Sequence, residues 1–466
     1  MSHSAREAKW RATITGAAHA PRRKRRSSRR LGLALVALLV AVLTVGGGIF
    51  LLTRPASASI IASPTDAVIT FNETAAAGAL EMGELEPGVY TVSVARKGFE
   101  PIEASVELKR GRKAKLAYTL TPLSLLVSVT SHPEGADCMI TLDDGQVISG
   151  VAPFEQQVSA GPVKFSLSMA GYNTFTSDFF LEETRTGDYY MDPKGQILHG
   201  LGTITTLGAP KGASVTHDGS EAWTSILNGP PSIEIFNPRT GAKIGEVDIG
   251  EYGAVEVIFN AAGTLAYTSQ METAKCFEID VKTRKVVREF DTKSAWTKWV
   301  ELSPDEKILY ASNWSGDDVS VIDLETGKLV KRIGVSNTPR GMYATNDGKY
   351  LYVAGFDSGD LERIDLTPDG KMLFVSCRGE NNPKTYYIPG PEWGSILVFD
   401  TGNGTPLDAL IAGNQPTALD VSDDGKLLIF SDFLDNRLRV YEIPDYATFA
   451  AGGGGRFEAH FAEIKK

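Results

Sequence analysis

The chain has 466 residues, so about three domains are expected at roughly 150 residues each. Its 42% hydrophobic and 22% charged residues are a globular composition and exclude wholesale disorder. A net charge of −10, three cysteines and six scattered histidines exclude a basic nucleic-acid binder, a disulfide-dense scaffold and a histidine-rich metal centre.

Charge is unevenly spread. Residues 1–30 hold ten Lys/Arg and one acid, Glu7, so this tail carries about +9 and the rest of the chain about −19. Leu31–Thr53 follows as 23 residues without a charge, long enough to span a bilayer as a helix. Arg22-Arg23-Lys24-Arg25-Arg26 and Arg29-Arg30 precede it, and after Arg54 the next cation is Arg96. Positive charge stays in the cytoplasm. The expected arrangement is a cytoplasmic tail at 1–30, a single transmembrane helix at 31–53, and the bulk of the chain outside the cytoplasmic membrane. Two other readings stay open. Ala56-Ser57-Ala58 suits a signal-peptide cleavage site, and Ser28-Arg29-Arg30 suits a twin-arginine export signal in which Gly32 replaces the usual bulky residue.

From Ser59 to Asp192 alternating strand patterns and turn residues repeat with a period of about 70. Ser63-Pro64 answers to His132-Pro133, Pro87-Gly88-Val89 to Gly161-Pro162-Val163, and Gly98-Phe99 to Gly171-Tyr172. Two small β-sandwich modules are expected, at 59–121 and 124–192. The second reads Pro133-Glu134-Gly135-Ala136, then Asp144-Gly145, Gly150, Pro153, Gly161 and Gly171-Tyr172. It resembles the PEGA domain. The first departs at the name motif, with Pro64-Thr65-Asp66-Ala67. The resemblance implies an envelope-side adhesive or spacer module and no catalysis.

A second repeat fills 195–466. Turn dipeptides recur at Asp218-Gly219, Ala262-Gly263, Asp305-Glu306, Asp347-Gly348, Asp369-Gly370 and Asp424-Gly425, at intervals of 44, 43, 42, 22 and 55. A period of 42–44 with about four strands per unit is a β-propeller signal. Tyr352-Val353-Ala354-Gly355 and Phe374-Val375-Ser376-Cys377 resemble the signature strand of the YVTN family of propellers. The 22-residue interval leaves no room for two strands. About six blades are expected, one truncated, with Ile197–Leu207 adding a closing strand to the last. Alternatively, Leu361–Leu366 serves one blade only and the ring is incomplete. The whole chain is therefore expected to be all-β beyond its membrane helix.

The sequence offers no catalytic, metal or cofactor residues. It has no nucleotide loop, CxxC, HExxH or GxSxG motif. Cys138, Cys276 and Cys377 read as separate core thiols. Asp280, Asp323, Asp365 and Asp400 end third strands and read as turn formers. Aligned on the turn Asp, Lys211, Lys298 and Arg340 take one equivalent position, a cation at the channel mouth in three units. The loop Gly379–Gly394 is a 16-residue insert carrying Asn381, Asn382, Tyr386, Tyr387 and Trp393, and Trp314 lies in the corresponding loop of another unit. Aromatic faces and amides suit sugar rings, and cations suit carboxylates. The insert aromatics would alternatively only pin a long loop.

Two functions follow. The first is a membrane-anchored extracytoplasmic binding or scaffold protein whose propeller face takes an envelope protein or cell-wall glycan, with no nucleic-acid partner. The second is an extracytoplasmic lactonase-like hydrolase, which would need acids converging in the channel with a histidine or metal. A reporter active only outside the cytoplasm, fused after Asp192, should be active. Normal expression of an inactive fusion would reverse the topology.

Overall fold

The computed structural model describes residues 55–335, 338–355 and 361–466. The expected tail and membrane span lie outside the described residues. Among the described residues no helix is long and apolar enough to cross a membrane. The first module forms a unit ending at Pro122, and the second module with the propeller forms another, Leu123–Lys466.

Period-two alternation builds the modules. In the first, one sheet orders Ala79–Leu85, Ala56–Ser63 and Lys113–Thr119; the other orders Thr74–Ala77, Val68–Phe71, Gly88–Ala95 and Ile102–Leu108. Ile69, Phe71, Val92 and Val94 point inward from alternate positions and are fully buried. The second module repeats this order strand for strand. Phe154–Ser159, Ser124–His132 and Arg185–Tyr190 form one sheet, and Val147–Val151, Asp137–Leu142, Gly161–Ser168 and Phe175–Leu181 the other. The bridges Phe99–Pro122 and Tyr172–Pro193 also correspond. The sequence period is thus a repeat of fold.

Six propeller-like sheets follow among the described residues. Sheet I is Pro210–Val215, Ala222–Ile226, Ile233–Phe236 and Lys243–Val247, and sheet II is Val257–Phe259, Leu265–Gln270, Lys275–Asp280 and Lys285–Asp291. Sheet III is Thr297–Leu302, Ile308–Asn313, Asp318–Asp323 and Lys328–Gly334, and sheet IV has only Pro339–Ala344 and Leu351–Gly355. Sheet V is Leu361–Leu366, Met372–Cys377, Ser395–Asp400 and Pro406–Ile411. Sheet VI is Pro416–Val421, Leu427–Asp432, Arg437–Glu442 and, from far upstream, His199–Thr205. The expected closing strand is therefore present. The first strands of sheets VI and I lie side by side.

One turn chemistry recurs between first and second strands. Thr216, Ser303, Thr345, Thr367 and Ser422 each donate a hydroxyl to the Asp two residues on, at 2.7–2.8 Å. The same oxygens accept the N–H five residues on, at 2.9–3.1 Å. The following glycines hold φ of 68–69°, a backbone region costly for other residues. Glu306 takes that position in sheet III at φ 54°, where its carboxylate receives the Ala261 N–H.

The short interval truncates sheet IV. Leu361–Leu366 pairs with Met372–Cys377 and is the first strand of sheet V, so among the described residues sheet IV lacks both outer strands. This places Asp365 differently from the other third-strand aspartates. Asp280, Asp323 and Asp400 accept turn N–H groups, as expected. Asp365 instead lines the ring interior and accepts the Val421 N–H at 2.8 Å.

That contact is one of a set. Glu301, Asp365 and Asp420 each stand four residues before a turn Asp, and each accepts a backbone N–H from the next first strand. The donors are Ala344 (3.2 Å), Val421 (2.8 Å) and Val215 (2.8 Å). Across the ring, Arg363 of sheet V pairs with Glu256 of sheet II at 3.0 Å and lies over the Trp299 ring at 4.5 Å. The centre is thus a buried ionic cluster. Burial raises the pKa of Asp420, and the neighbouring Asp365 carboxylate raises it further.

Burial pushes Glu301 up to about 7 from 4.5, against the Ala344 N–H and the Arg363 charge. Folding therefore favours the protonated acid. Its stabilising share is complete below the unfolded pKa and is lost as pH rises towards the folded one. At ~1.4 kcal/mol per unit the loss has a ceiling of about 3.5 kcal/mol. Glu301→Gln keeps the acceptor and removes the titration. Relative to wild type, urea unfolding of the variant should gain ~1–3 kcal/mol between about pH 5 and about pH 8. An equal difference at both pH values would refute this.

Candidate functional site

Lys211, Lys298 and Arg340 begin first strands at equivalent positions, as aligned. Ser225, Ser269 and Ser312 of second strands fix this ring of positions. Each donates to the carbonyl at that place in the next sheet, Val255 (2.7 Å), Lys298 (2.6 Å) and Arg340 (2.9 Å). The three cations are buried, at 7%, 8% and 8% exposure. They are not presented openly at a mouth, as their position in the repeat suggested. Aromatic rings cap two of them: Lys211 Nζ lies 4.4 Å from the Phe433 ring and Lys298 Nζ 3.1 Å from the Trp314 ring. Replacing all three cations would therefore disturb packing as well as charge.

Phe433 escaped the sequence reading. The signal was present: Leu227, Met271, Trp314 and Phe433 all stand nine residues after a turn residue. Arg378 takes the same place in sheet V, is buried, and donates to Gln415.

The insert divides in two. Its first half carries Tyr386 and Tyr387, whose rings are 4.2 Å apart and whose hydroxyls are hydrogen-bonded at 3.0 Å. Tyr387 lies 6.3 Å from Phe433, and the Arg378 guanidinium 5.9 Å from the Tyr386 ring. The tyrosines thus join the aromatic cap over Lys211, at 36% and 55% exposure. Burial and the Tyr387 hydroxyl push Tyr386 up to about 12, against Arg378 and Arg340, so it is a neutral donor. Asn382 braces the loop, donating to the Pro389 carbonyl (3.1 Å) and accepting the Lys384 N–H (2.9 Å). Asn381 is exposed.

The second half is structural. A Cβ on Gly390 would lie 1.8 Å from the Glu380 carbonyl oxygen, so the loop closes there. Trp393 donates its backbone N–H to the Ile464 carbonyl at 2.7 Å, and Lys466 lies 4.2 Å over its ring. Trp393 therefore belongs with the C-terminal segment and not with Tyr386 and Tyr387.

Elsewhere, burial raises the thiols of Cys276 and of Cys138, the latter to about 11, so both are inert. Cys377 is only half-buried, unlike the core thiol expected. His217 sits among turns, with Nε2 2.8 Å from the Asn260 carbonyl and Nδ1 on Asp423. Among the described residues no group of His, Cys, Asp and Glu could hold a metal ion. What the site offers is an exposed tyrosine pair and two aromatic caps, held by a rigid ring over buried positive charge.

Residues 56–124 match the family model of the PEGA domain, and residues 263–364 match that described as lactonase, 7-bladed β-propeller. The PEGA match thus covers the first module, although the name motif stands in the second. Antigen Lp49 of Leptospira interrogans serogroup Icterohaemorrhagiae serovar copenhageni (strain Fiocruz L1-130) is 30% identical over 259 residues, 41% of this chain and 57% of that antigen. The chain thus spans a little over half the length of that relative. The β-propeller domain of Cps50 (Swd1) from Myceliophteria thermophila aligns at 10% identity and a TM-score of 0.40, over 53% of this chain and 100% of that one; no argument rests on it. Repeat, fold and family matches agree that this chain is a β-propeller repeat protein with a PEGA domain.

Proposed function

We propose that the chain is a binding and scaffold protein of the cell envelope, its six sheets the blades of one ring whose aromatic face takes a partner protein or a cell-wall glycan. The segment 31–53 anchors it in the cytoplasmic membrane with its N-terminus inside, and the PEGA-type modules space the propeller from the bilayer. The exposed Tyr386–Tyr387 pair beside Phe433 and Lys211 carries this reading. Stacked rings offer area at low entropic cost, and cations beneath them strengthen attraction for electron-rich or acidic groups. That a relative is named an antigen supports an outward-facing placement.

Tyr386→Ala/Tyr387→Ala should reduce retention of the full chain on immobilised cell-wall glycan fragments about tenfold or more, with an unchanged thermal transition. Equal retention by the double variant counts against this face. Deleting 380–393 is the poorer test, because it also removes the Trp393–Ile464 contact.

A second reading, an extracytoplasmic lactonase-like hydrolase, is favoured by the lactonase match and the buried acids around Arg363. It requires lactone ring-opening by the wild type that falls at least about a hundredfold in Glu301→Gln. Wild-type protein inert towards a lactone panel sinks it.

A further inference from the structure

We propose a second binding site, for a neutral sugar ring, in the cleft between the second module and the rim of sheets V and VI. The cleft has a volume of about 370 Å³. That lies within the ~300–1,000 Å³ usual for small-ligand sites. It is separate from the propeller face. Pro133, which opens the Pro-Glu-Gly-Ala motif, and Tyr172 form one wall; Leu410, Ala412, Trp393 and His460 form others.

The chemistry of the lining selects the ligand. Its two arginines are already matched within the protein. Arg439 pairs with Asp432 at 2.8 Å, and Arg456 pairs with Glu463. Asp192 accepts from Gln196 (2.6 Å) and from the Gly200 N–H (2.8 Å). An anion entering the cleft would meet the Asp192 carboxylate, whose hydrogen-bond donors are neutral, and would lose its hydration, so a neutral ligand is favoured over an anion.

Two lining side chains bring polar atoms that a ligand can use. One is the Tyr172 hydroxyl. The other is His460 Nε2, on a residue 2% exposed whose Nδ1 is already engaged by the Phe457 carbonyl. An imidazole nitrogen at the wall of a cleft is satisfied by solvent or ligand. The Tyr172 ring, an aliphatic wall at Leu410 and Ala412, and these two polar atoms fit a pyranose. Its C–H faces pack on the ring and its hydroxyls take the hydrogen bonds.

Calorimetric titration of the full chain tests this with maltose and diacetylchitobiose as neutral probes and sulfate as the anionic control. At least one saccharide should bind saturably, and sulfate should not. Tyr172→Ala should weaken binding about tenfold, whereas Tyr172→Phe, which keeps the ring, should stay within about threefold. The saccharide should also protect His460 from diethyl pyrocarbonate, a readout that does not depend on any variant folding. Tyr386→Ala/Tyr387→Ala should keep the part of the saccharide binding that Tyr172→Ala removes, so failure at the propeller face and failure here are distinguishable. Absence of saturable binding by both saccharides, indifference to Tyr172→Ala, or loss of that part in the Tyr386/Tyr387 variant would overturn the assignment.

Discussion

The pairing of His199–Thr205 with Arg437–Glu442 holds the larger unit together. It joins segments more than two hundred residues apart, and it supplies the outer strand of the last sheet from the start of the domain. Loop-closure entropy opposes such a contact, so its neighbours must favour it strongly. They do. Asp408 accepts the N–H groups of Ile197 (2.7 Å), Leu198 (3.0 Å) and Arg456 (2.9 Å), tying the approach strand, sheet V and the C-terminal segment to one carboxylate. Asp188 does the same for the second module, pairing with His132 and Arg437, each at 2.8 Å. Burial opposes its ionised form, but hydrogen bonds from His132 and Thr130 and the Arg437 charge hold its pKa below the usual value. Module and ring are therefore fastened in part by half-buried, paired charge.

Within the ring, two devices repeat with different frequency. The hydroxyl–Asp turn is local and appears wherever the sequence supplies it. The acid reaching a neighbouring N–H is a contact between sheets, and it appears at Glu301, Asp365 and Asp420. Sheet IV, with two strands, exposes Tyr343, Tyr350 and Tyr352. A normal unit would cover such surface with its outer strands. The long insert follows in the next sheet, whose own strands are complete, so the extra loop is carried by a sound blade beside a truncated one.

Buried cations beneath aromatic rings change how the propeller face is to be understood. An exposed lysine offers a hydrated charge. A lysine 4.4 Å under Phe433 instead polarises an apolar surface and is shielded from salt. The surface on offer is then the tyrosine pair, with buried Phe433 and the charge behind it. The rigid first strands hold these groups, so little side-chain freedom remains to be lost on binding.

Periodicity and turn chemistry determined the architecture from sequence alone. The doubled module, the propeller repeat, the closing strand and the register placing Lys211, Lys298 and Arg340 together are local patterns, and local patterns survive in one dimension. The joining of Tyr386 and Tyr387 with Lys211 was also legible in part, because equivalent loops of a ring share a face. The tertiary structure decided the rest. It assigned Leu361–Leu366 to sheet V, since strand pairing depends on which partner is in reach and not on the strand's own pattern. It buried the aligned cations, because repeat position fixes where a stem starts and neighbouring rings decide whether its end meets water. It separated Trp393 from the tyrosines six and seven residues before it, because the C-terminal Ile464 and Lys466 capture it, and no sequence interval records a contact made across seventy residues.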